Sequence, residues 1–129
     1  MVENSANQAD IGLVYRSLKY SRARMDLYHR LCDVYPLEVS GKELARHGNL
    51  TLANAFGALA GSGRDYCPEK SLVGMGLAVR VPAIVDGKTV DLFRATEYGL
   101  ALRDRLDDYE QRLSSLARIE AETMDSVKV

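Results

Sequence analysis

The spacing of apolar residues along the chain changes from a helical period to an alternating one and back. Ile11, Val14, Tyr15 and Leu18 recur at helical spacing and predict a short first helix. Met25, Tyr28, Leu31, Cys32 and Tyr35 repeat the i, i+3, i+4 stripe, so Arg22 to Tyr35 reads as an amphipathic helix. Ser21 caps it, and Pro36 pushes Tyr35 out of helical geometry and ends it. Ser40 followed three residues later by Glu43 has the form of a capping box, opening a short helix to about His47. Gly48-Asn49 supplies a tight turn, since both residues tolerate the left-handed conformation. Thr51 then caps a helix with Leu52, Phe56 and Leu59 inward, stopped by Gly61-Ser62-Gly63.

The period then shortens. Arg64 to Gly74 reads as a loop, with a possible helical turn from Ser71 to Met75. Leu77 to Val85 alternates weakly and contains Pro82, which suits an edge strand. Asp86-Gly87 is a strong hairpin signal, and Thr89 to Phe93 returns as the second strand. Thr96 caps a long last helix, with Glu97 at its positive end and no Gly or Pro after Gly99. Met1 to Ala9 is polar and aperiodic, as expected of a frayed terminus.

The expected fold is therefore mostly α with a small β-hairpin. Three helices closed by a two-stranded hairpin form a winged helix–turn–helix, in which the hairpin is the wing. Residues 1–14 form a tail and the start of the first helix, 15–95 the winged domain, and 96–129 a long dimerisation helix.

Composition refines this picture. The formal net charge of the 129 residues is −1, which argues against bulk attraction to nucleic acid. The charge is uneven, however. Tyr15 to Ala95 holds 12 Lys+Arg against 8 Asp+Glu, whereas Thr96 to Val129 holds 5 against 8. A basic body with an acidic tail remains a nucleic-acid candidate. Two cysteines make no disulfide framework and suit a reducing cytoplasm. No signal sequence opens the chain and no apolar run approaches a membrane span, so a soluble cytoplasmic protein is expected.

The segments ELARHGNLTLANAFGAL, KSLVGMGLAV and FRATEYG carry a resemblance. From Ser21 to Gly99 the chain resembles archaeal winged helix–turn–helix proteins, mostly described as predicted transcription regulators. The resemblance implies the fold and DNA binding; it carries no ligand site. Ala45 stands where a small residue lets the two helices cross, with Leu44 and Leu50 in the apolar positions beside it. Asn49 stands where Gly is usual, and Gly48 where an apolar residue is common.

Between Thr51 and Gly61, where the reading helix is expected, there is no Lys or Arg. Affinity for DNA comes mainly from phosphate contacts, which other elements can supply. Thr51, Ala53, Asn54 and Ser62 can address base edges; Asn54 suits adenine, and Ala or Thr methyls suit the thymine methyl. Phosphate contacts are expected from Arg22, Arg24, Lys42, Arg46, Arg64 and Lys88, with Arg16, Lys19 and Tyr20 as further candidates. In the rival reading Ala53, Ala55, Ala58 and Ala60 are packing residues, and the domain docks onto another protein without reading DNA.

A helix from Glu97 to Val127 is about 46 Å long, whereas a body of this size is about 25–30 Å across. Leu102, Leu106, Tyr109, Leu113 and Leu116 alternate four, three, four, three, the spacing of a coiled-coil seam; Ile119 breaks the register. Those five residues are the expected homodimer contact. A two-fold dimer would set two reading helices about one DNA turn apart.

Catalytic signatures are missing. His29 and Cys32 share a helix, and His47 and Cys67 lie elsewhere, but the spacing fits no zinc pattern. Cys67, with Arg64 and Lys70 nearby, is a candidate redox-sensitive thiol. No phosphate-binding loop, nucleophile elbow or paired carboxylate appears. No enzyme, metal or cofactor is expected. The expected partners are double-stranded DNA and a second copy of the chain, with no effector defined.

Overall fold

All five described α-helices begin at a hydroxyl or carboxylate cap that the chain supplies locally. In the computed structural model, which describes residues 8–61 and 67–127, Asp10 accepts from the Leu13 amide at 2.9 Å and opens α1, Ile11–Lys19. Ser21 accepts from Arg24 N at 3.2 Å and opens α2, Arg22–Val34. Ser40 accepts from Glu43 N at 3.1 Å and opens α3, Gly41–His47. Thr51 accepts from Asn54 N at 3.1 Å and opens α4, Leu52–Ala60. Each cap satisfies an amide that the first turn leaves without a helical partner. The box at α3 is half-formed: the Glu43 carboxylate engages Arg46 one turn on.

A 3₁₀ turn at Pro68–Lys70 leads to β2, Ala78–Val85, and β3, Lys88–Ala95. Asp86 and Gly87 join them with φ of 52° and 77°, the two positive values of a type I′ turn. The eight pairs run in register from Ala78 opposite Ala95 to Val85 opposite Lys88. A two-residue strand that the sequence did not suggest, β1 at Val39–Ser40, pairs with β3 on its other side. The order β1-β3-β2 makes β2 an edge, which accommodates Pro82.

The long helix α5, Glu97–Val127, starts beyond a buried Thr96. That hydroxyl donates to the Gly76 carbonyl at 2.6 Å and accepts from Gly99 N at 2.9 Å, so one side chain caps the helix and pins it to the root of β2. Among the described residues the architecture is five α-helices and one three-stranded antiparallel sheet. None of these helices is long and apolar enough to cross a membrane.

A single core joins α1, α2, α4, the sheet root and the first turns of α5 through Leu18, Leu27, Tyr28, Leu31, Leu59, Leu72, Phe93 and Leu102. Two expectations fail here. Of the three α4 residues expected inward, Leu59 is buried and Phe56 half-buried, but Leu52 is 51% exposed; Ala55 and Ala58 join Leu59 in the buried positions, their small side chains facing α2 and α3. The leucine stripe of α5 is divided rather than free along its length. Leu102 and Leu106 are buried in the chain's own core, and Tyr109 packs its ring 5.2 Å from that of Tyr15. Leu113 and Leu116 remain exposed.

Candidate nucleic-acid interface

The pair α3–α4 is held at its crossing and at its turn. Gly41 approaches the Phe56 ring so closely that a Cβ there would lie 2.5 Å from Cζ. The Phe56 ring in turn meets Phe93 of β3 edge-on, with centroids 5.8 Å apart. At the turn, Gly48 N donates to the Leu44 carbonyl, Asn49 adopts φ 54°, and Leu50 N donates to the Ala45 carbonyl at 2.8 Å. The last bond folds Leu50 back against the core.

These contacts sink one end of α4 and leave the other out. Ala55, Gly57, Ala58 and Leu59 are buried, whereas Thr51, Leu52, Ala53 and Asn54 are all exposed. The three expected base-reading residues therefore sit together on one exposed helical turn. A hydroxyl, a methyl and a carboxamide are groups of the kind that address base edges in a major groove. The Asn54 backbone N–H donates to the Thr51 hydroxyl at 3.1 Å, and the residue is exposed on the first turn.

Cations flank this turn unequally. Lys42 and Arg46 are exposed on α3, with Arg46 held by Glu43. Arg22 is exposed at the start of α2, 3.8 Å from Asp26. Lys88 is exposed beside the hairpin turn. Among the described residues neither Lys42 nor Lys88 forms an ion pair. Arg24 is a correction: expected on the surface as a phosphate contact, it is only 9% exposed and largely covered by the packing around α2. Lys19 ties α1 to α5 through Glu110 at 3.0 Å, and that carboxylate raises its pKa. Arg64 and Ser62 lie outside the described residues.

One further residue belongs here and was missed. Strand alternation puts Arg80 on the hairpin face that carries Phe93 toward α4; its guanidinium stands 5.8 Å from the Phe93 ring centre and 2.8 Å from Asp91. Lys88 falls on the opposite face. Counting back from Asp86-Gly87 in register would have placed both.

The thiols do not form a site. Cys32 is buried with its Sγ 4.0 Å from the Gly99 carbonyl, and burial raises its pKa to about 11, whereas His29 on the same helix is exposed. Cys67 is exposed and hydrogen-bonded to the Glu69 carboxylate, whose pKa that bond lowers. Among the described residues no group of three or more His, Cys, Asp or Glu is placed to hold a metal ion.

A family model described as EarA-like matches residues 14–106, and the chain belongs to that family. The match starts in α1 and stops at Leu106, the last α5 residue buried in the core. No curated protein matches the chain.

Proposed function

We propose that this EarA-like chain is a winged helix–turn–helix transcription regulator of the cytoplasm that binds double-stranded DNA sequence-specifically as a homodimer. The observation that carries the reading is the exposed first turn of α4, with Thr51, Ala53 and Asn54 presented while the rest of that helix is buried. The turn carries no cation of its own. Lys42, Arg46 and Arg22 supply phosphate contacts from neighbouring helices, Arg80 and Lys88 supply them from the wing, and Asn54 reads an adenine. The exposed end of α5 joins two copies, and their two-fold axis implies an inverted-repeat site. Selection from a random duplex pool tests the reading; enrichment of one inverted repeat supports it, and an unenriched pool refutes it.

Leu52 favours a second reading. A leucine 51% exposed on the presenting turn, with no Lys or Arg nearby on that helix, suits docking onto an apolar surface of another protein. That reading gives negligible DNA affinity even at low salt.

A further inference from the structure

Antiparallel sheets that cover a core with one face normally turn polar residues outward on the other. The β2–β3 hairpin reverses this. On the helix side Ala78, Phe93 and Ala95 are buried at the root, and farther out that face carries Arg80, Pro82, Thr89 and Asp91 with a single exposed aliphatic, Ile84. The outer face carries Val79, Val81, Ala83 and Val85 from β2 beside Val90 and Leu92 from β3, five of them half-buried and Val85 exposed, with Arg94 at the root and Lys88 at the turn. None of these six belongs to the core or packs against it. They form an aliphatic patch two strands wide between Arg94 and Lys88, outside that core, and the part of α5 beyond Glu110 carries a second patch in Leu113, Leu116 and Ile119.

Within the chain α5 packs mainly on α1 and α2 rather than on the hairpin. Close approach of Gly99 to the Leu77 carbonyl fixes the start of α5 at the root of β2. The helix then stays on α1 as far as Tyr109 and Glu110, through the Tyr15 ring and Lys19. Leu116 lies 17 residues past Gly99, about 25 Å along the axis.

We infer that the outer face of the hairpin receives the exposed end of α5 from a second copy of the chain, so that two copies exchange helix ends reciprocally. The inference rests on the reading of α5 as the dimerisation helix and names the surface which that helix meets. Charge favours this occupant. Residues 107–121 carry Asp107, Asp108, Glu110 and Glu120 against Arg112 and Arg118, a net −2. The hairpin, 78–95, carries Arg80, Lys88 and Arg94 against Asp86 and Asp91, a net +1. Two α5 ends laid side by side in parallel would set −2 against −2. Area favours it too. Each apolar surface alone is on the order of a few hundred Å², whereas a stable dimer needs about 800 Å² from each partner. Reciprocal exchange uses both surfaces of both chains.

Cross-linking between two differently tagged full-length chains tests this, in a Cys67→Ser background that leaves only the buried Cys32. One chain carries Val81→Cys, the other Leu116→Cys, and a short bismaleimide is added after co-expression; circular dichroism verifies folding. The expected product joins the two tags, and it is lost when the Val81→Cys chain also carries Val90→Asp. A product that joins only Leu116→Cys chains to one another overturns the inference and leaves the dimer reading standing. A monomeric mass by light scattering at all concentrations, with no cross-link, removes the dimer reading and the inference with it.

Discussion

The Tyr28 hydroxyl donates a 2.6 Å hydrogen bond to the Gly99 carbonyl, tying α2 to the first turn of α5 across 71 positions of sequence. Both groups are buried, and burial raises the phenol pKa well above its ordinary value, so it remains a donor throughout the working pH range. Tyr28→Phe removes the donor and keeps the ring. The expected loss is about 1–2 kcal/mol of folding stability, measured by urea unfolding, with no change in helix content.

Close approach at Gly99 and Gly41 separates a rigid neighbour from a yielding one. A Cβ on Gly99 would stand 2.4 Å from the Leu77 carbonyl oxygen, a backbone atom. A Cβ on Gly41 would meet the far edge of the Phe56 ring, which can rotate at some loss of its contact with Phe93. Gly99→Ala is expected to cost about 3 kcal/mol and Gly41→Ala about 1 kcal/mol. Unfolding midpoints of the two variants check the order.

The elements legible in the sequence were those with local chemical causes. Ser21, Ser40, Thr51 and Thr96 mark helix starts because a short hydroxyl beside an apolar period has one common use, and Asp86-Gly87 sets the hairpin register. What was not legible depends on distant partners. Leu52 reads as inward by period, yet Ala55 and Ala58 hold the buried positions because α2 and α3 approach closely. Arg24 reads as a surface cation until the packing around α2 covers it. β1 is two residues long and exists only because β3 lies beside it. At the candidate interface, Thr51, Ala53 and Asn54 were singled out in the sequence and stand exposed, whereas Leu52 between them was expected inward and Arg80 emerges only once the two strands are aligned.

Cys32 and Cys67 should differ sharply toward alkylating reagents. Cys67 is exposed; Cys32 is buried, and its thiol is pushed from an ordinary 9.0 to about 11. Iodoacetamide at pH 8 should modify Cys67 alone in the folded chain and both thiols in urea, read by intact mass. The raised value also sets a direction for stability. The folded chain holds this proton where the unfolded chain has released it, so the contribution is intact below about pH 9 and is lost as the pH rises toward 11. Tyr28 shifts in the same sense. Cys32→Ala should flatten the decline across that window.

The divided stripe of α5 predicts a divided response. Leu102→Ala leaves a hole in the chain's own core, where Leu102 is 1% exposed, and should cost about 2–5 kcal/mol of folding stability. Leu116→Ala, at a residue 56% exposed, should leave the unfolding of the isolated chain within about 0.5 kcal/mol and weaken self-association instead. Chemical unfolding beside sedimentation velocity distinguishes the two effects.

The central claim is that the exposed turn bearing Asn54 reads base edges while cations elsewhere hold phosphates. Fluorescence anisotropy on a selected duplex and on its scrambled counterpart, for the wild type and Asn54→Ala across a salt series, measures it directly. The account predicts that the wild type prefers the selected duplex by about a thousandfold or more. Asn54→Ala should then lose about 1–3 kcal/mol on that duplex and nothing on the scrambled one, with the salt slope unchanged. Equal wild-type affinity for both duplexes at every salt concentration would contradict it.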